Sequence, residues 1–401
     1  MLRTTLLRFA NSVILALPVF ALVGPPCCAE VKSESVFTDY FTNKTMRVDY
    51  FHSGTATEEH LALDRAVSDG PWAASRVNLI DALNLGKYHF ELRDLGSNRL
   101  LFLQGFCSVF GEWETTAEAK TSWGTFHASM RFPWPRTPVQ LVVKKRVGGL
   151  WHEIWTTTID PASRFANSAD LAPAGEVWTI FENGPLHEKV DLLVLGDGFS
   201  AEEQEQFHAD AIRLVGKLFE TEPFQGRKQD FNVRAVDLTA DQSGVTRPTA
   251  GEARRSPLNV RYSIFGSERY ALTLDNRALR DAAATAPYDC LVVLMNERKY
   301  GGGGIYQDQA VTAAGNQFSD YIFVHEFGHH FAGLADEYYV ASVAYQFDDA
   351  TPDEPWEPNI TATTDPQQIK WRELLSNEVP VPTPWTKEEY EEQSKELARK
   401  R

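Results

Sequence analysis

The chain contains 401 residues, of which 43% are hydrophobic and 12% are aromatic. This content is sufficient for hydrophobic cores and excludes a wholly disordered protein, and the length fits about two or three domains. The formal net charge of −16 argues against nucleic acid and anionic lipid as partners.

Residues 1–29 have the pattern of a secretory signal peptide. Arg3 and Arg8 precede an apolar run over residues 13–23, and small residues follow up to Ala29. An uncleaved membrane anchor is the alternative, but the run is shorter than the roughly 18 to 20 apolar residues that a span needs. We therefore expect cleavage after Ala29, a secreted or periplasmic location, and no stable membrane association of the mature protein.

The cysteines do not indicate a disulfide-stabilised fold. Cleavage would remove Cys27 and Cys28 and would leave Cys107 and Cys290, which fall in different predicted domains. Two such cysteines in an exported protein are more typical of buried thiols than of a disulfide framework.

Residues 30–160 show the two-residue alternation of β-strands. In TMRVDYF, the apolar residues Met46, Val48 and Tyr50 alternate with charged ones, and the segment GKYHFELRD repeats this pattern. Turn signals such as DLGSN and VGG separate the strands. The region is predicted to be a domain with an antiparallel β-sandwich that has a supporting or recognition role.

A change of pattern marks a second domain. Residues 161–176 are small, polar and interrupted by proline, which indicates a linker. Residues 177–401 alternate buried strands such as KVDLLVLGDGF with helical segments, and Ser200 and Glu203 form a capping box before the first helix. This order predicts an α/β domain with a mostly parallel sheet.

The segment YIFVHEFGHHFAGLADEYY, residues 321–339, has the spacing of a zinc site. His325 and His329 are four residues apart and therefore lie on one face of a helix, where both can bind one zinc ion. Glu326 follows the first histidine and can accept a proton from a water molecule on the metal. A catalytic zinc ion needs a third protein ligand and an open position; Asp336 is the candidate, and Glu337 is the alternative.

The neighbouring residues have less specific interpretations. His330 points away from His329 on a helix and is predicted to be packed. Tyr338 and Tyr339 could donate a hydrogen bond to a transition state or could pack, and packing is favoured. The run GGGG at residues 301–304 has no phosphate-loop ending; it predicts a flexible approach to an edge strand, IYQDQAVTAA, beside the cleft.

The motif and several longer segments resemble the IgA peptidase family of zinc metallopeptidases, in particular its two-domain bacterial members. Beyond HEFGHHFAGLADEYY, the resemblance is carried by FTDYFTNKTMRVDYFHSG, RFPWPRTPVQLVVKKR, VDLLVLGDGFSAEE, DFNVRAVDL, SERYALTLDNRALRD and YGGGGIY. It implies an α+β fold, with an N-terminal antiparallel β-sandwich before a metzincin-like α/β zinc metallopeptidase domain. By position it also implies that His325, His329 and Asp336 bind Zn²⁺ and that Glu326 is the general base.

The sequence departs from the metzincin pattern in three places. The third ligand is expected six residues after the second histidine, where this chain has Ala335, so Asp336 requires a longer turn. The last methionine is Met295, so none follows the motif to form a Met-turn. The sequence stops in TKEEYEEQSKELARKR, whereas related chains continue beyond such a segment, and we therefore expect residues 177–401 to be a truncated catalytic domain.

These features predict an exported zinc endopeptidase that acts on a protein or peptide substrate. The alternative is an exported protein that binds a glycan or a protein through its β-sandwich and holds a structural zinc ion. The open fourth position at the metal favours the enzyme. Neither the cleavage specificity, including cleavage of IgA, nor the oligomeric state follows from the sequence.

Overall fold

The computed structural model describes residues 34–337, 354–376, 378–384 and 386–400. The predicted signal peptide, Tyr338 and Tyr339 lie outside these ranges. No helix within them combines the length and the apolar character that are needed to cross a membrane.

In the described residues of the first half, the chain forms two four-stranded sheets and two short α-helices. In chain order its elements are α1 (Glu34–Tyr40), β1 (Phe41–Gly54), β2 (Glu59–Pro71), β3 (Tyr88–Asp94), β4 (Leu100–Phe106), α2 (Val109–Trp113), β5 (Gly124–Pro135), β6 (Val139–Val147), β7 (Leu150–Ile159) and β8 (Ala166–Asn167). The strand order is β5-β1-β2-β8 in one sheet and β4-β3-β6-β7 in the other. Neighbouring strands are antiparallel, except that β8, in the predicted linker, pairs in parallel with β2.

Both sheets contribute to one hydrophobic core, which agrees with the two-residue alternation in the sequence. Met46 and Val48 of β1 and Tyr88 and Phe90 of β3 belong to the same cluster and are at most 2% exposed. Successive side chains on a strand point to opposite faces, so the alternating apolar residues collect on the face that each sheet buries.

The second half of the chain forms a six-stranded sheet with helices. Its elements are β9 (Glu176–Phe181), β10 (Val190–Asp197), α3 (Gln204–Leu218), β11 (Phe231–Asp237), α4 (Asn276–Ala283), β12 (Cys290–Met295), β13 (Gly302–Ile305), β14 (Gln309–Ala313), α5 (Ser319–Ala332) and α6 (Lys387–Lys400). The strand order is β13-β14-β12-β10-β11-β9. The four inner strands are parallel, and both edge strands are antiparallel to their neighbours.

Helices cover both faces of this sheet. Leu192 and Val194 of β10 pack in one cluster with residues of α3 and α5. Leu193 and Leu195, which alternate with them, pack in another cluster with Leu279 of α4. Strands that are buried on both faces become continuous apolar runs, which is why KVDLLVLGDGF indicated a parallel strand.

Two local predictions can be compared with the structure: the capping box before α3 and the edge strand after the glycine run. The predicted capping box is confirmed, because the Ser200 and Glu203 side chains each bond the other residue's backbone N–H group. The prediction of one edge strand over residues 305–314 is wrong. Residues 306–308 form a turn, the glycine run belongs to the edge strand β13 itself, and β14 lies one position further in.

The two halves meet at a buried ionic interface. Arg47, on the second face of β1, bonds Asp49 and Asp69 at 2.9 Å each, and the side chains of all three are fully buried. Arg47 also bonds Asp281 of α4, and Arg131 stacks on the Tyr288 ring at 3.4 Å from its centroid. Buried charges are stable only when they are paired, so these contacts fix the β1 sheet against the α4 side of the second half.

A second set of contacts links the first half to the edge strand β13. The Cys107 N–H group donates to the Tyr306 carbonyl at 2.9 Å, and the Tyr270 hydroxyl donates to the Glu112 carboxylate of α2. The Ala271 N–H group in turn donates to the Gly302 carbonyl at 3.0 Å. The first half therefore supports both the turn after β13 and the segment that pairs with its outer edge.

Both cysteines in the described part of the chain are free thiols. Cys290 is buried and Cys107 is partly buried. Burial raises the pKa of the Cys107 thiol to about 12, so it stays protonated at neutral pH.

Candidate metal centre

The predicted histidine pair lies on α5. Phe323 and Phe327 face the core and are fully buried, and because residues four apart share a helix face, His325 and His329 lie together on another side. The helix ends where Gly333 adopts a left-handed conformation with φ of 63°, which favours glycine. The chain then turns back, as the sequence predicted, and brings the following residues beside the helix.

Three side-chain atoms meet at the solvent-facing side of α5. The His325 Nε2 and His329 Nε2 atoms are 3.1 Å apart, and each is 3.2 Å from Asp336 Oδ1. A tetrahedral ion with ligands at about 2.0 to 2.1 Å would separate its ligands by about 3.3 Å. The three atoms therefore fit one such ion, and the three side chains are 16% to 29% exposed.

Glu326 lies beside this triangle. Its carboxylate belongs with the His325 and His329 nitrogens to a group whose ligand atoms lie within 4.8 Å of one another. Burial raises the pKa of the Glu326 carboxyl to about 7, against the lowering effect of the two histidines. His325, His329 and Asp336 already provide three ligand atoms at suitable separations. The Glu326 carboxylate is therefore adjacent to the candidate metal position and is not needed as a ligand.

The orientation of both histidines is fixed by neighbouring groups. The His329 Nδ1 atom bonds the Leu334 carbonyl at 2.5 Å, which turns Nε2 towards Asp336. The Tyr321 ring stacks on the His325 imidazole at 5.4 Å between centroids. Burial would lower the pKa of His329, but the hydrogen bond with Asp336 raises it to about 9.

His330 is packed, as the sequence predicted. It is 2% exposed, and its Nδ1 atom donates to the Ile305 carbonyl at 3.0 Å. Its Nε2 atom accepts from the Leu291 N–H group at 3.2 Å, and burial lowers its pKa to about 4. This neutral imidazole joins α5 to two strands of the sheet.

The structure separates the two candidate acids. Asp336 joins the histidines, whereas the exposed Glu337 accepts a hydrogen bond from Asn359 Nδ2 at 3.0 Å. Asn359, within EPNI, has no motif that would have identified it from the sequence. Tyr338 and Tyr339 lie outside the described residues, and their predicted role stays a prediction.

The glycine run allows close contact between β13 and α5. A methyl group on Gly304 would lie 2.4 Å from the Glu326 carbonyl oxygen and 2.9 Å from His329 Cβ. A methyl group on Gly302 would lie 2.8 Å from Glu326 Oε1. The sequence indicated flexibility here, but the glycines are needed because a side chain would separate strand and helix.

Replacing Gly304 with alanine should destabilise the protein by about 1 to 3 kcal/mol, because the added methyl group overpacks against backbone. Urea unfolding of the purified variant would measure this change. The matched control is Gly216→Ala in α3, where a methyl group meets nothing within 4 Å. The steric account is wrong if the two alanine variants have the same free energy of unfolding.

Within the described residues, one further group has the composition of a metal site. Asp49, Asp64 and His127 offer ligand atoms within 4.8 Å of one another. Asp49, however, already bonds Arg47 at 2.9 Å and Arg65 at 2.7 Å. These guanidinium groups supply the positive charge, so the group belongs to the ionic interface.

Comparisons with known families cover both halves of the chain. The family model described as IgA Peptidase M64 matches residues 179–401. The model described as Peptidase M64 N-terminus matches residues 36–150. A comparison with curated proteins gave no match.

Proposed function

Because this chain belongs to the IgA Peptidase M64 family, a family of metallopeptidases, we propose that it is an exported zinc endopeptidase. The observation that carries the proposal is the triangle of His325, His329 and Asp336, with separations of 3.1 to 3.2 Å. Glu326 is the additional acid that hydrolysis requires beside such a site.

The donor set favours zinc among the common divalent ions. His325, His329 and Asp336 would hold it through two nitrogen atoms and one oxygen atom, and three-ligand sites of this composition are typical of catalytic zinc. When bound, the ion would polarise the scissile carbonyl and acidify a water molecule. Three protein ligands would leave a fourth position on the ion for water or for the substrate carbonyl.

Glu326 is assigned the proton transfers of the reaction. Its carboxylate takes a proton from the attacking water and passes it to the nitrogen of the leaving amine. Gly302 lets Glu326 lie directly against the edge strand, which restricts where the carboxylate can move. Tyr338 or Tyr339 could donate a hydrogen bond to the developing oxyanion, although packing is the favoured role for both.

We infer that the two sheets of the first half form a β-sandwich and that the second half is a metzincin-like catalytic domain. The shared core of the sheets supports the first inference, and the helix, the glycine turn and the returning acid support the second. Arg3, Arg8 and the apolar run after them support export.

Removal of the metal should abolish cleavage. Purified protein is expected to carry about one zinc ion per chain and to cleave members of a random peptide library, because the open position admits a substrate. Treatment with a chelator should stop cleavage, and added Zn²⁺ should restore it. Metal analysis and mass spectrometry of the library would measure both results.

The same experiment tests the alternative function. An exported binding protein with a structural zinc ion would retain zinc against the chelator and would cleave no member of the library. That combination would reject the endopeptidase. Cleavage that continues after complete loss of zinc would reject the metal's assigned role.

A further inference from the structure

We propose that Asn359 is a positioning residue for the metal centre, which its side-chain amide stabilises by holding the loop that carries Asp336. The inference rests on the proposed function, since it takes Asp336 and His329 as metal ligands. Asn359 is 24 residues from Ala335 in the sequence, yet it bonds this residue directly.

The Asn359 amide forms a two-bond clamp on the Ala335 backbone. Its Oδ1 atom accepts from the Ala335 N–H group at 2.8 Å, and its Nδ2 atom donates to the Ala335 carbonyl at 2.8 Å. Nδ2 also donates to Glu337 Oε1 at 3.0 Å. The clamp therefore fixes the peptide groups on both sides of Ala335.

Each of these peptide groups is connected to a metal ligand. The group between Leu334 and Ala335 presents its carbonyl to His329 Nδ1 at 2.5 Å, opposite the N–H group that Asn359 holds. The group between Ala335 and Asp336 sets the starting position of the Asp336 side chain. One amide thus constrains both the ring orientation of His329 and the approach of Asp336.

The loop that carries Asp336 lies outside regular secondary structure. After Gly333 the chain leaves α5, and residues 333–337 belong to no helix or strand. Partners outside the ligand shell that fix ligand orientation typically account for about 10- to 100-fold in metal affinity. Asn359 has the position and the hydrogen bonds of such a partner.

The segment that carries Asn359 is itself anchored. Lys370 Nζ donates to the carbonyls of Glu357 at 2.8 Å and Ile360 at 2.9 Å, on either side of Asn359. The Trp356 ring lies 5.7 Å from the Tyr306 ring, measured between centroids. Because this segment is anchored, Asn359 can hold residues 333–337 in a fixed position.

Only an amide can form this clamp. It presents an acceptor and donors in one plane, so it pairs with a backbone N–H group and a backbone carbonyl together. An aspartate at this position has the same shape but would lack the donor and would place its charge beside the Ala335 carbonyl and Glu337. The Asn359→Asp variant therefore removes the Nδ2 donor of the clamp with little change in side-chain volume.

The test is metal affinity, measured on the full chain by Zn²⁺ titration against a competing chelator. We expect Asn359→Asp to weaken Zn²⁺ binding by about 10- to 100-fold and Asn359→Ala to weaken it in the same direction. Co²⁺-loaded protein should show a change in its visible absorption, which reports the ligand geometry. A merely structural contact would change neither quantity.

The matched control is Asn183→Ala, beyond β9 at the opposite edge of the sheet from β13. Asn183 Nδ2 donates to the Lys228 and Phe231 carbonyls at 2.9 Å each, so its loss also removes two side-chain bonds to backbone. This variant should lower the thermal stability without changing the zinc affinity.

Each outcome is decisive. If Asn359→Asp and Asn359→Ala bind Zn²⁺ as tightly as the wild type, with an unchanged Co²⁺ spectrum, the positioning role is wrong while the proposed function stands. If Asn183→Ala weakens binding as much as they do, the effect is general destabilisation and the role is also wrong. If the wild type binds no divalent ion, the proposed function fails and the positioning role fails with it.

Discussion

Replacing Glu326 with glutamine should abolish peptide cleavage and leave the metal bound. Glutamine has nearly the same shape, so the close contact with Gly302 is preserved, but it cannot accept the proton of the attacking water. Loss of a general base typically lowers the rate by about 10²- to 10⁴-fold. The kcat/KM for a library-derived peptide and the zinc content of the same preparation would measure the two effects.

Asp320 provides a matched control on the same helix. The Asp320→Asn variant also converts an acid to an amide, but its side chain is 44% exposed and bonds Arg213 away from the metal triangle. Its kcat/KM should equal that of the wild type. Retained cleavage by Glu326→Gln would refute the role of the base, and loss of zinc from this variant would show that Glu326 helps to bind the metal.

Local periodicity was sufficient to predict the elements that build the site. His325 and His329 share a helix face because their spacing matches the helical repeat, and the end of the helix follows from Gly333. The alternation in β1 and β3 likewise predicts which residues enter the core. These features depend on neighbours in the sequence, and the sequence therefore contains the information directly.

Features that depend on distant contacts were not predictable. The sequence indicated Asp336 as the third ligand, but nothing in it indicated that Asn359 would bond Ala335 and Glu337 on either side of Asp336. The need for glycine at position 304 arises from its close contacts with Glu326 and His329 on α5, a separate element of the chain. In each case the constraint comes from a partner that no local pattern identifies.

The charged face of β1 illustrates the same limit. Alternation predicts that Arg47 and Asp49 point away from the core, and they do, yet both are fully buried. The second half of the chain covers this face and supplies Asp281 as a partner of Arg47. A sequence pattern identifies the two faces of a strand, but it does not show that a second domain covers the polar one.

Asp336→Asn should lose zinc, whereas Glu337→Gln should retain it. The two variants remove the same charge from adjacent residues, so they differ only in which carboxylate meets the histidines. Asp336 Oδ1 lies 3.2 Å from both Nε2 atoms, and the variant replaces this carboxylate with a neutral amide, which is not among the usual ligands of zinc. A residue that only bonds a metal ligand typically contributes about 10- to 100-fold in metal affinity. Because Asp336 is itself a ligand, the zinc affinity of Asp336→Asn should fall by more than this.

Glu337→Gln should have little effect because its side chain still offers Asn359 an oxygen acceptor. Equilibrium dialysis with Zn²⁺ on both variants would measure the difference, and circular dichroism would establish that both are folded. Equal affinities would show that Asp336 is not a ligand. The reverse order would assign Glu337 as the third ligand, and the turn after α5 would then have to rearrange by one residue on metal binding.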